Sequence, residues 1–144
     1  MSFFCIFAEQ TNNKIYRWDC ESGEITLFTD QSGRSNGMYF DAKGNLIACA
    51  DMDNQLWSFD IEGHSKILIT DYRGKLMNGP NDDSTLNQPN GLVGTPDDKY
   101  LYVAEAKANR ILRYDIQPDG LLTNRQVFAD MGSDGMTIDD RKRA

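Results

Sequence analysis

Apolar and polar residues alternate in short runs along this chain, and glycine or Asn/Asp pairs punctuate the runs. Ile15-Tyr16-Arg17-Trp18, Leu56-Trp57-Ser58-Phe59 and Ile111-Leu112-Arg113-Tyr114 are such runs, and Ser22-Gly23, Glu62-Gly63 and Asp119-Gly120 follow them as turn pairs. Alternation puts successive side chains on opposite faces of a strand, so the pattern predicts an all-β chain of short strands and regular turns. Residues 3–8 are apolar and predict a buried strand almost at the first residue. Residues 104–112 read differently alone: they hold good helix formers, with apolar residues at helical spacing.

A repeat settles that segment. Asn13-Lys14-Ile15-Tyr16-Arg17-Trp18-Asp19 matches Asn54-Gln55-Leu56-Trp57-Ser58-Phe59-Asp60, and both match Asn109-Arg110-Ile111-Leu112-Arg113-Tyr114-Asp115. The repeat makes 104–112 a turn flanked by two strands. A second shared block starts at Asn36-Gly37-Met38 and again at Asn90-Gly91-Leu92, each running through an Asp-rich turn into a second strand. Each full unit then reads as an inner strand, a turn, a second strand, a third aromatic strand ending in Asp, and an outer strand. Four antiparallel strands in about 40–45 residues is the build of a β-propeller blade.

The leading residues of these units are Asn36, Asn81, Asn90 and Asp134, at intervals of 45, 9 and 44 residues. Two intervals are one blade long, and the middle one falls about 35 residues short of a blade. The expected organisation is a partial propeller of about three blades, with units at 1–35, 36–80 and 90–133. A shortened junction lies at 81–89, and a further blade starts at 134–144. A blade body is expected to be missing between Asp82 and Gln88, which makes the chain a fragment or an internally shortened form. About three blades cannot close a six-bladed ring alone, so self-association is a further expectation.

Composition narrows the function. Lys and Arg number 15 against 22 Asp and Glu, a net charge of −7, which argues against nucleic acid or an anionic membrane surface as partner. Three cysteines without CxxC spacing read as free thiols. A single histidine excludes a zinc site with two of them within this chain. No apolar run approaches the about 20 residues of a membrane span, and no signal peptide is seen in this chain, so a soluble protein is expected, with the cytoplasm favoured and secretion of a longer form left open.

Two motif matches are set aside. Gly33-Arg34-Ser35-Asn36-Gly37 fits a GxSxG nucleophile elbow, but a strand follows where a helix is required. Residues 51–62 have the length of a calcium loop, but Leu56 stands where glycine is required. His64 reads as a solvated turn residue. The leading residues differ in kind from these. Asn36, Asn81, Asn90 and Asp134 open successive inner strands, which in a propeller converge at one mouth of the channel. Their oxygens suit a hard divalent cation.

At these residues the chain resembles the calcium-dependent lactone hydrolases that include gluconolactonase, senescence marker protein and the luciferin-regenerating enzyme. The resemblance rests on Ser35-Asn36-Gly37-Met38-Tyr39-Phe40-Asp41, Leu76-Met77-Asn78-Gly79-Pro80-Asn81-Asp82, Gln88-Pro89-Asn90-Gly91-Leu92 and Gly132-Ser133-Asp134-Gly135-Met136-Thr137-Ile138-Asp139. It implies a six-bladed propeller with a divalent ion, usually calcium, at the channel mouth, and hydrolysis of sugar-type lactones such as gluconolactone. Asn90 and Asp134 match two ligands of that ion, Asp134 is the implied general base, and Asn81 matches a substrate-binding asparagine. The family's further ligand lies in a Glu-Gly-Pro type motif that does not occur here, and its role is not carried to Glu9. The competing reading is a non-catalytic propeller-type module, or an inactive fragment of a lactonase.

Overall fold

The computed structural model describes residues 3–69 and 86–139. They form three antiparallel sheets, each a meander in chain order. The first holds β1 (Phe4–Glu9), β2 (Lys14–Asp19) and β3 (Ile25–Thr29). The second holds β4 (Ser35–Phe40), β5 (Leu46–Ala50), β6 (Gln55–Phe59) and β7 (Ser65–Ile69). The third holds β8 (Pro89–Gly94), β9 (Tyr100–Glu105), β10 (Arg110–Ile116) and β11 (Leu122–Ala129). These are propeller blades, as the repeat predicts. The helix-like stretch around 104–112 is the end of β9, a turn, and the start of β10.

The turns follow from Asp chemistry. The Asp41 carboxylate accepts the backbone N–H groups of Lys43 at 3.0 Å and Asn45 at 2.7 Å, which closes the β4–β5 turn. Asp19 receives Glu21 and Ser22 in the same way, and Asp60 receives Glu62 and His64. Each carboxylate satisfies amides that the turn leaves without a ladder partner.

The blades stack face to face. Ile15 of the first sheet packs with Leu46, Ala48 and Phe59 of the second. Ile47, Cys49 and Leu56 of the second pack with Leu101, Val103, Leu112 and Tyr114 of the third. Adjacent residues of β5 therefore serve opposite interfaces. Both faces are covered, so all five positions are buried and apolar rather than alternating. Phe59 and Tyr114 are fully buried, and the Phe59 side chain contributes about 1.5–3 kcal/mol by leaving water.

The innermost strands run close together. β4 lies beside β8, and a Cβ added at Gly37 would collide with the Asn90 carbonyl. A Cβ added at Gly91 would sit 3.3 Å from the Asp134 carbonyl oxygen and the Gly135 Cα. Glycine after Asn36 and after Asn90 thus lets one backbone approach the next. The second and third sheets are direct neighbours, with innermost strands opening at Ser35 and Pro89. The sequence-predicted junction at 81–89 falls partly, and Asn81 wholly, outside the described residues. Among the described residues the first sheet carries no innermost strand, and no helix is long and apolar enough to cross a membrane.

Candidate functional site

Each repeat asparagine ties one blade to the beginning of the next. Asn13, Asn54 and Asn109 all sit in the left-handed region, at φ of 61°, 52° and 51°. Asparagine adopts that conformation more readily than other residues with a side chain. There each turns its amide oxygen across to the following unit. Asn13 Oδ1 accepts the Arg34 N–H at 2.8 Å, Asn54 Oδ1 the Gln88 N–H at 2.9 Å, and Asn109 Oδ1 the Gly132 N–H at 3.0 Å. In every case the held amide lies two residues before a leading residue of the repeat: Asn36, Asn90 and Asp134. The sequence signal for this role was the Asn that opens each copy of the repeat.

The clasps bring two of the predicted site residues into contact. Asn90 Nδ2 donates to Asp134 Oδ1 at 2.9 Å, although 44 residues separate them. Asn90 is half-buried and Asp134 is exposed. The pair presents an amide and a carboxylate, both hard-oxygen groups of the kind calcium takes, so its chemistry fits part of such a site. Calcium takes about 6–8 oxygens, so two such groups would supply only part of a shell. Asn36 lies on the neighbouring innermost strand, where its own Oδ1 accepts the Gly37 N–H at 2.6 Å. Asn81 lies outside the described residues.

Other candidate groups have structural work. Ser35 is buried, and its hydroxyl donates to the Ser32 carbonyl at 2.5 Å at the head of a strand, so no nucleophile elbow forms. Asp60, Glu62 and His64 bring ligand atoms within 4.8 Å of one another on the surface. This cluster is the β6–β7 turn: the His64 N–H and ring both bond Asp60 and hold its carboxyl below the usual range. Glu9 accepts Asn12 Nδ2 at 2.5 Å and the Tyr16 hydroxyl at 3.3 Å, at the end of β1.

Glu105 is the one acidic side chain among the described residues that is fully buried. It accepts the Asn87 N–H at 2.7 Å, pairs with Arg110 Nε, and lies 4.0 Å from Arg125. The Tyr114 hydroxyl is buried nearby without a hydrogen-bond partner among the described residues, and burial pushes its pKa far upward. Sequence reading passed over Glu105 because it sits inside the helix-like stretch.

Residues 80–143 match the family model described as the SMP-30/gluconolactonase/LRE-like region. No curated protein matches the chain. Among solved structures, a candidate gluconolactonase superposes with a TM-score of 0.64 at 19% identity, covering 88% of this chain and 44% of that one. A gluconolactonase of Xanthomonas campestris superposes with a TM-score of 0.53 at 21% identity, covering 94% and 63%. An auxiliary nutrient binding protein of Bacteroides thetaiotaomicron gives 0.66 at 18%, covering 91% and 30%. At such identities the likeness is one of fold, and the chain spans less than two thirds of each relative's length.

Proposed function

We propose, on the match of residues 80–143 to the SMP-30/gluconolactonase/LRE-like region, that this chain hydrolyses sugar-type lactones with the help of a divalent cation, calcium by preference. The observation that carries the reading is the 2.9 Å contact between Asn90 and Asp134 at adjacent innermost segments. These are the residues that the sequence resemblance names as ligands. The Asn90 amide oxygen and the Asp134 carboxylate would hold the cation. When bound, such an ion polarises a carbonyl and lowers the pKa of coordinated water.

The chain's own residues supply the rest. Asp134 is exposed at the channel end, and its carboxylate takes the proton from the attacking water or substrate hydroxyl. Asn90 fixes the carboxylate by its hydrogen bond and leaves the second oxygen, Oδ2, for that work. Asn81 orients the lactone or supports the developing oxyanion. The Asn54 and Asn109 clasps hold the two ligand-bearing segments at fixed separation. The scheme needs neither histidine nor thiol, in keeping with His64 in a surface turn and Cys49 in the core.

The test is acid release from gluconolactone at constant pH, corrected for spontaneous opening, with calcium and with chelator. The expected result is calcium-dependent turnover that falls about 100-fold or more in Asp134→Ala. Equal rates in wild type and Asp134→Ala would overturn the assignment. Cation binding without turnover would leave a non-catalytic binding module.

A further inference from the structure

The turn between β9 and β10 touches both segments that lead to the candidate cation ligands. On one side Glu105 Oε1 accepts the Asn87 N–H at 2.7 Å, and the Ala106 N–H donates to the Gln88 carbonyl at 3.1 Å. Asn90 follows directly after this stretch and Pro89. On the other side Asn109 Oδ1 accepts the Gly132 N–H at 3.0 Å, two residues before Asp134. A Cβ added at Gly132 would sit 3.3 Å from Asn109 Oδ1 and 3.6 Å from the Glu105 carbonyl oxygen. Residues 105–110 therefore bridge the two ligand-bearing segments.

Glu105 is fully buried, and its two oxygens divide the work. Oε2 pairs with Arg110 Nε and lies 4.0 Å from Arg125, which fixes the carboxylate and leaves Oε1 for Asn87. A buried ion pair is often no more stabilising than apolar residues of similar volume. The second sheet shows that the fold does not require one at this place. Ser35 pairs with Ala50 there as Pro89 pairs with Glu105 here. Gly33 passes directly against Ala50, where an added Cβ would come within 2.7 Å of the Ala50 Cβ. That junction leads to Asn36, whose amide oxygen is turned to the N–H of its own neighbour, Gly37. The acid stands at the junction that leads to Asn90.

The junction also has to be held. Gln88 sits at φ 54°, a left-handed conformation that is costly for a residue with a Cβ. Such a conformation persists where its surroundings fix it. Asn54 takes the Gln88 N–H, Ala106 its carbonyl, and Glu105 the N–H just before it.

We propose that Glu105 is a positioning residue, which sets where Asn90 stands relative to Asp134 by holding the Asn87 amide. The cation's part in this rests on the reading of Asn90 and Asp134 as its ligands. Partners that orient a ligand without touching the ion typically change metal affinity 10–100-fold when lost.

Two neutral variants of similar length separate positioning from the ion pair. Glu105→Gln and Glu105→Met both take the carboxylate from Arg110, but only Gln keeps an acceptor oxygen for Asn87. Nitrogen–proton NMR of the cation-free protein reads the result at the Asn90 side-chain amide, which reports its 2.9 Å bond to Asp134. Glu105→Met moves that signal toward a free amide, and Glu105→Gln leaves it near its wild-type place. The Asn45 side-chain amide, bonded to Asp41 at 2.8 Å in the β4–β5 turn, moves in neither. Calorimetry then finds calcium bound about 10–100-fold more weakly by Glu105→Met and with near wild-type strength by Glu105→Gln. Should Glu105→Met not fold, Asn87→Pro removes the same hydrogen bond from the other side and gives the same shift. An Asn90 signal that stays in place when the Asn87 bond is removed, or that moves equally in Glu105→Gln, would overturn the proposal. A wild type that binds no calcium would overturn the cation reading instead, and the NMR comparison would still decide the positioning.

Discussion

Asn54→Ala isolates what the clasp contributes. Two effects add at this position. The variant removes the acceptor of the Gln88 N–H, a 2.9 Å hydrogen bond, and a net bond of this kind is worth about 1 kcal/mol. It also places alanine at φ 52°, where an L-residue without a local hydrogen bond costs about 1–2 kcal/mol. The sum is about 2–3 kcal/mol. Urea unfolding followed by tryptophan fluorescence reads it, since Trp57 packs at the first interface. With a slope of about 2 kcal/mol per molar, the midpoint falls by about 1–1.5 M. Asn54→Asp keeps both the acceptor and the tolerance of the left-handed region, and it stays within about 0.5 kcal/mol of wild type. Asn54→Gly loses the acceptor but not the conformation, and it falls between them. An alanine variant as stable as the aspartate variant would refute the clasp.

Three further outcomes follow from the packing. Gly37→Ala drives a methyl group into the Asn90 carbonyl and separates β4 from β8, so circular dichroism melts show strong destabilisation, whereas Gly135→Ala, with open space around it, melts like wild type. Glu105→Ala strips the carboxylate from Arg110, Arg125 and the Asn87 amide, and costs about 3–5 kcal/mol in denaturant titration. Burial raises the pKa of the Cys49 thiol, so at pH 8 a thiol reagent modifies exposed Cys20 in the native state and reaches Cys49 only after unfolding.

Blade architecture was legible because the aromatic third strand recurs with one turn chemistry. Ile15, Leu56 and Ile111 mark the face turned to the following blade, and the residue after each marks the face turned back. The repeat also overrode helix propensity at residues 104–112, where cross-strand pairing from Arg110 to Glu105 decides the conformation. The pairing of Asn90 with Asp134 was legible as a convergence of leading residues, and the structure supplies their contact. What the pattern did not reveal was long-range. The asparagine clasp joins residues up to 34 apart in the chain, and the buried Glu105 draws a partner from each of two later strands. The clasp leaves a repeated Asn but no mark of its partner, and Glu105 leaves none, because each contact depends on how strands stack and not on how one strand alternates.

The central claim is that Asn90 and Asp134 together form a cation-binding core. Isothermal calorimetry with calcium tests it most directly, on wild type, Asn90→Ala and Asp134→Ala matched for fold by circular dichroism. The account predicts saturable binding in the wild type, weakened in Asn90→Ala and absent in Asp134→Ala. Binding of equal strength in all three proteins, or none in the wild type, would contradict it.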